Sequence, residues 1–131
     1  MVRFNKEITL DNQVVLKDMT EYSSYEQKIG IWTDGHSLYR KVCYCEAPVA
    51  TTSGAVSYKD FDLNVEANVI MIDTAYVNND GVRYPIPYTT DENKIIKAFL
   101  LNKKTIRIGN SNSDFNNKTC LFIIHYTKTT D

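Results

Sequence analysis

EYSSYEQKIGIWTDGHSLYR, from Glu21 to Arg40, is the stretch on which the reading of the fold turns. Asp34-Gly35 stands between two runs of strand-forming residues. Asp-Gly tolerates the positive φ angles of a tight type I′ turn, whose twist matches that of paired strands. Lys28–Thr33 and Ser37–Tyr44 therefore read as the two arms of a hairpin. The hairpin holds Trp32, the single tryptophan of the chain. Tyr22, Tyr25, Ile29, Ile31, Leu38 and Tyr39 add further apolar load. Trp32, Asp34, Gly35 and Tyr39 are expected at its centre, with Trp32 in the core and the rest of the chain wrapped on it.

Downstream, the same strand-and-turn pattern repeats. Glu46–Gly54 is a loop by composition. Val56–Val65 alternates irregularly. Asn68–Val77 is rich in β-branched and aromatic residues and reads as a long strand. Asn78-Asn79-Asp80-Gly81 is the strongest turn signal and pairs that strand with Val82–Tyr84. Pro85 and Pro87 stop the pairing, because proline has no N–H to donate. Lys94–Leu101 and Thr105–Ile108 form a third hairpin. Gly109–Asn117 is a polar loop. Thr119–Thr127 closes the chain, with Cys120, Phe122, Ile124 and Tyr126 on one face and Leu121, Ile123 and His125 on the other. Upstream, Thr20 or Ser23 can cap a helical turn or two within Lys17–Gln27, and Glu26 stands three residues after Ser23 as in a capping box. The pattern is that of an all-β protein, an antiparallel β-sandwich or jelly roll of about seven to nine short strands with little helix.

The chain has 131 residues, which suits one domain. Residues 1–20 read as an N-terminal arm or attachment segment, or else as a first strand of the same domain, and 21–131 as the sandwich. Basic and acidic residues number 15 and 16, for a net charge of −1. That balance leaves no basic footprint for nucleic acid. No apolar run is long enough for membrane insertion. MVRFNKEITL lacks the apolar stretch of a secretory signal, so synthesis in a cytoplasm is expected.

Chemistry is hard to place on this sequence. Cys43, Cys45 and Cys120 make an odd count, which closes no disulfide framework. Cys43-Tyr44-Cys45 lacks the second ligand pair of a zinc site. In a strand the two thiols share a face, which reads as core. Asp34, His36 and Ser37 lie side by side in a turn and cannot supply triad geometry. Asp60, Asp62 and Glu66 lack the ligand spacing of a calcium loop. No catalytic residue, metal site or cofactor is therefore expected, and the protein reads as a non-enzyme. Asn68–Tyr76 and Thr119–Tyr126 carry apolar residues on both faces, a surplus that points to a subunit interface. The nine tyrosines point the same way.

Y-S-x-x-E-Q-x-x-G-x-W-x-D-G-x-x-L-Y-R-K, as it stands in Tyr22–Lys41, resembles a domain at the C-terminal end of tail-fibre and baseplate-appendage proteins of phages and prophages of Gram-positive bacteria. Tyr84-Pro85-Ile86-Pro87-Tyr88 and His125–Asp131 resemble that domain's linker and its ending. His36-Ser37 stands where the family more commonly has Lys-Pro. The resemblance implies a virion location and a structural or adhesive module of a tail or head appendage. It also implies a homotrimer in contact with other virion proteins, and a host cell-surface glycan as a further partner. The alternative reading is a carbohydrate-binding module with no virion role. For either, Asn112, Asp114, Phe115 and Asn116 are the candidate ligand contacts, with Phe115 stacking on a sugar face.

Overall fold

The computed structural model describes residues 21–51, 55–90 and 92–129. The proposed arm, residues 1–20, lies outside them. The described residues form nine antiparallel strands in two sheets, with one short 3-10 turn at Ser113–Phe115. The strands are β1 (Gln27–Ile31), β2 (Ser37–Glu46), β3 (Ser57–Asp62), β4 (Ala67–Asn79), β5 (Val82–Pro85), β6 (Tyr88–Thr89), β7 (Ile95–Asn102), β8 (Thr105–Asn110) and β9 (Thr119–Lys128). One sheet runs β1-β2-β9-β4-β5, the other β3-β8-β7-β6. The fold is an all-β sandwich with almost no helix.

The core lies between the sheets, and its centre is β9. Cys120, Phe122, Ile124 and Tyr126 are all fully buried. Opposite them pack Ile96, Ile106 and Ile108 of the smaller sheet. β9 is flanked on both sides, by β2 with Cys43 opposite Phe122, and by β4 with Val77 opposite Cys120. A register shift between Ile72 and Thr74 re-phases β4, so that Ile72 and Ala75 both stay on the core side. Each large apolar side chain buried here contributes roughly 1.5–3 kcal/mol.

The hairpin of Glu21–Arg40 forms, but it is not the core. Trp32 is half-buried at the turn and outside the central cluster, while Tyr39 reaches that cluster by stacking on Tyr126 at 5.7 Å. The turn also differs in type. Ile31 pairs with Ser37, Trp32 N–H donates to His36 O at 2.8 Å, and Gly35 N–H donates to Trp32 O at 2.9 Å. Gly35 has φ +90°, while Asp34 keeps a negative φ. This is a three-residue loop, Thr33-Asp34-Gly35, ending on a left-handed glycine, and not the two-residue type I′ turn. The type I′ turn is at the other Asp-Gly: Asp80 has φ +53° and Gly81 φ +83°, between the paired Asn79 and Val82.

The helical turn expected at Ser23–Glu26 does not form. Ser23 Oγ accepts from Tyr25 N–H at 2.9 Å, closing a local turn. The Glu26 carboxylate is taken instead by the Tyr126 hydroxyl and the Lys128 ammonium. Burial alone would raise the Glu26 pKa, but those two hydrogen bonds outweigh it and hold the carboxyl below its ordinary value. Burial, together with the Glu26 carboxylate, pushes the Tyr126 phenol up.

Candidate functional site

The loop singled out from sequence is an internal brace. Phe115 is 2% exposed and lies in an aromatic cluster, its ring 5.4 Å from Tyr84 and 6.0 Å from Tyr88. It fills the gap between the sheets near the point where the chain crosses from β5 to β6, and no sugar can stack on it. Asn112 is also buried, and its side chain accepts from Asp114 N–H at 3.0 Å to cap the 3-10 turn. Asn116 Oδ1 accepts from Ala50 N–H at 2.8 Å. Asn110, fully buried, donates to Pro48 O at 2.9 Å and accepts from Asn112 N–H. These amides satisfy backbone groups of two loops that would otherwise be buried without partners. Only Asp114 of the four candidates is open to solvent.

The thiols are core groups. Burial raises the pKa values of Cys43 and Cys45, and that of Cys120 to about 12, so all three stay protonated near neutral pH. No group of three His, Cys, Asp or Glu among the described residues is placed to hold a metal ion. Asp34 and His36 meet at 3.2 Å only as neighbours in the turn, where Asp34 also accepts from His36 N–H. Asp60 is clamped by Arg107 at 2.7 and 3.1 Å, and that hydrogen-bonded guanidinium lowers its pKa. No helix among the described residues is long and apolar enough to cross a membrane.

The surfaces that remain are the outward faces of the two sheets. On the five-stranded sheet the period of two sends Val42 and Tyr44 of β2, Leu121 and Ile123 of β9, and Tyr76 of β4 away from the core. The segment before β1 lies over part of this face. Ser23 O accepts from Val42 N–H at 2.9 Å. Arg40 donates to Glu21 O at 3.0 Å, with its guanidinium carbon 3.8 Å from the centre of the Tyr22 ring. This cover meets part of the apolar surplus within the chain: Val42 and Leu121 are buried although they point outward. Beside the cover a groove of about 370 Å³ stays open. Tyr22, Tyr44 and Tyr76 wall it, Val42, Leu121 and Ile123 line its base, and Ser23, Ser24 and Arg83 add polar groups. Tyr22 and Tyr44 are 60% and 56% exposed. Arg83, opposite Asn78 in the β4–β5 pairing, holds its guanidinium 5.0 Å from the Tyr76 ring centre.

On the four-stranded sheet the outward residues include Tyr58, Asp60, Lys97, Phe99 and Arg107. Tyr58 lies across Gly109, where a Cβ would come within 2.9 Å of its ring. Glycine here lets the aromatic ring lie flat on the sheet. Lys97 and Arg107 flank the ring at 5.6 and 5.8 Å. Phe99 and Leu101 stay exposed beside it.

Sequence reasoning missed Tyr44, Tyr76 and Arg83. The signal for Tyr44 was present, since two core thiols at Cys43 and Cys45 force the residue between them outward. Compared with known proteins, the chain matches no family model, no curated protein and no solved structure.

Proposed function

We propose that the chain is a non-catalytic structural module of a phage particle. It is a homotrimeric tail or head appendage, attached to other virion proteins and able to contact the host surface. The observation that carries the self-assembly is the exposure of three large apolar side chains on the four-stranded sheet, Tyr58 and Phe99 on the face away from the core and Leu101 at the irregularity of β7. Large apolar side chains on a sheet already packed on its other side favour burial against another copy. A closed three-fold ring lets them meet a different surface of the next copy. The resemblance also supports the reading through its three landmarks: Tyr22–Lys41 enters β1 and β2, Tyr84–Tyr88 is the crossing between sheets, and His125–Lys128 ends the central strand.

Light scattering on the full chain tests this across a wide dilution range. A mass near three times 15.0 kDa that holds on dilution is expected. The Phe99→Glu, Leu101→Glu double variant should run as a folded monomer. A monomer from the unmodified chain at every concentration overturns the trimer. The reading as a carbohydrate-binding module is favoured by a separate observation, the tyrosine-walled groove.

A further inference from the structure

We infer that the groove on the outer face of the five-stranded sheet binds an anionic saccharide, a pyranose carrying a carboxylate or a phosphate. This deepens the attachment part of the proposed function and does not depend on the trimer.

Shape and chemistry agree on the ring. At about 370 Å³ the groove is within the roughly 300–1,000 Å³ of small-ligand sites. Its walls are the rings of Tyr22, Tyr44 and Tyr76, each apolar on its face and polar at its tip. Leu121 and Ile123 lie at its base. A pyranose has the matching character: an apolar face of C–H groups, with hydroxyls around the rim for the tyrosine tips. The walls are also held in place. Tyr44 and Tyr76 project from paired strands, and Tyr22 is stacked on Arg40. Little ordering is then needed on binding.

Charge selects the anion. Among the described residues that line the groove none is acidic, and Arg83 is the one that carries a formal charge. No carboxylate among the described residues pairs with Arg83, whose contact is with the Tyr76 ring. A neutral ligand covering Arg83 would replace water on a cation with hydroxyl acceptors alone, which bind a cation more weakly than an anion does. A carboxylate or phosphate on the sugar accepts two parallel N–H bonds from the guanidinium fork. An acidic peptide shares the charge but lacks a ring to stack against three tyrosines.

The test is a titration of the full chain followed by backbone amide NMR. The probes are a glucuronate-containing disaccharide, sialyllactose and glucose 6-phosphate, with lactose and glucose as neutral controls. Tetraglutamate is the peptide control. Saturable shifts confined to the amides of Tyr44, Tyr76, Arg83, Leu121 and Ile123 are expected with at least one acidic sugar. That sugar should bind about tenfold or more tighter than the neutral controls, since a charged hydrogen bond is worth roughly that factor. Whether the carboxylate or the phosphate member binds identifies the anion. Arg83→Gln should abolish the preference for the acid, and Tyr44→Ala should weaken every sugar by about tenfold. Neither variant touches the four-stranded face, so both should keep the parent's mass, and a failed trimer leaves this result readable. Absence of shifts with all three acidic sugars overturns the inference. So does equal binding of acidic and neutral sugars, or shifts at these amides with tetraglutamate alone.

Discussion

The two faces of β9 show how differently one strand can use its side chains. Facing the second sheet, Cys120, Phe122, Ile124 and Tyr126 have no solvent exposure. Facing outward, Leu121 is buried by its neighbours and the Tyr22–Ser24 cover, while Ile123 stays half-buried beside an open groove. Both faces are apolar, yet only one is closed by a second layer of strands. A strand with one closed face and one partly covered face can supply stability from the first and a binding surface from the second.

The largest expected effect is on the closed face. Phe122→Ala leaves a cavity between the two sheets and should lower unfolding free energy by about 3–5 kcal/mol in urea denaturation. A loss under about 1 kcal/mol would show that the inner face is not where the fold is held. Leu121→Ala, one residue away on the other face, should lose less, about 2 kcal/mol, because the open groove beside it lets solvent and neighbours adjust. Equal losses for the two variants would erase the distinction between the faces.

Tyr126→Phe removes the hydroxyl that donates to Glu26 and should lower stability by about 1–2 kcal/mol. The same contact predicts a pH dependence. The folded-state pKa of Glu26 lies below its ordinary 4.5, so its contribution is present above pH 4.5 and is lost as pH falls through the folded value. Glu26→Gln should flatten stability against pH in that acid range and leave the neutral side unchanged in slope. An unchanged acid slope would mean that Glu26 does not carry the linkage.

The smallest effects concern the two Asp-Gly turns. Asp80 sits at positive φ, a conformation glycine adopts at no steric cost, so Asp80→Gly should leave the melting temperature nearly unchanged. Asp34 has a negative φ and accepts from His36 N–H, so Asp34→Gly should lower it. Matching shifts from the two variants would contradict the difference in turn type.

Much of the fold could be read directly. The alternation in Thr119–Thr127 assigned both faces of β9 correctly, because a side-chain period of two is a property of the extended backbone. Asn79-Asp80-Gly81 gave the second hairpin at its observed position. The binding surface was harder. Phe115 in an asparagine-rich loop reads as exposed, and its burial depends on Tyr84 and Tyr88 arriving from another part of the chain. Tyr22, Tyr44, Tyr76 and Arg83 are dispersed through the sequence, and only the order β2-β9-β4-β5 with the cover before β1 gathers them.

By itself the sequence determined that this chain is built of antiparallel strands, where most of them turn, and which side of each core strand is apolar. Those properties follow from short-range backbone geometry and side-chain alternation. Tertiary structure alone decided which Asp-Gly adopts the type I′ turn, because strand register fixes how many residues remain to close each loop. It also decided that Trp32 stays at the rim while β9 takes the centre, and that Phe115 is a plug. Burial is set by which distant strands pack together, and no local pattern carries that information.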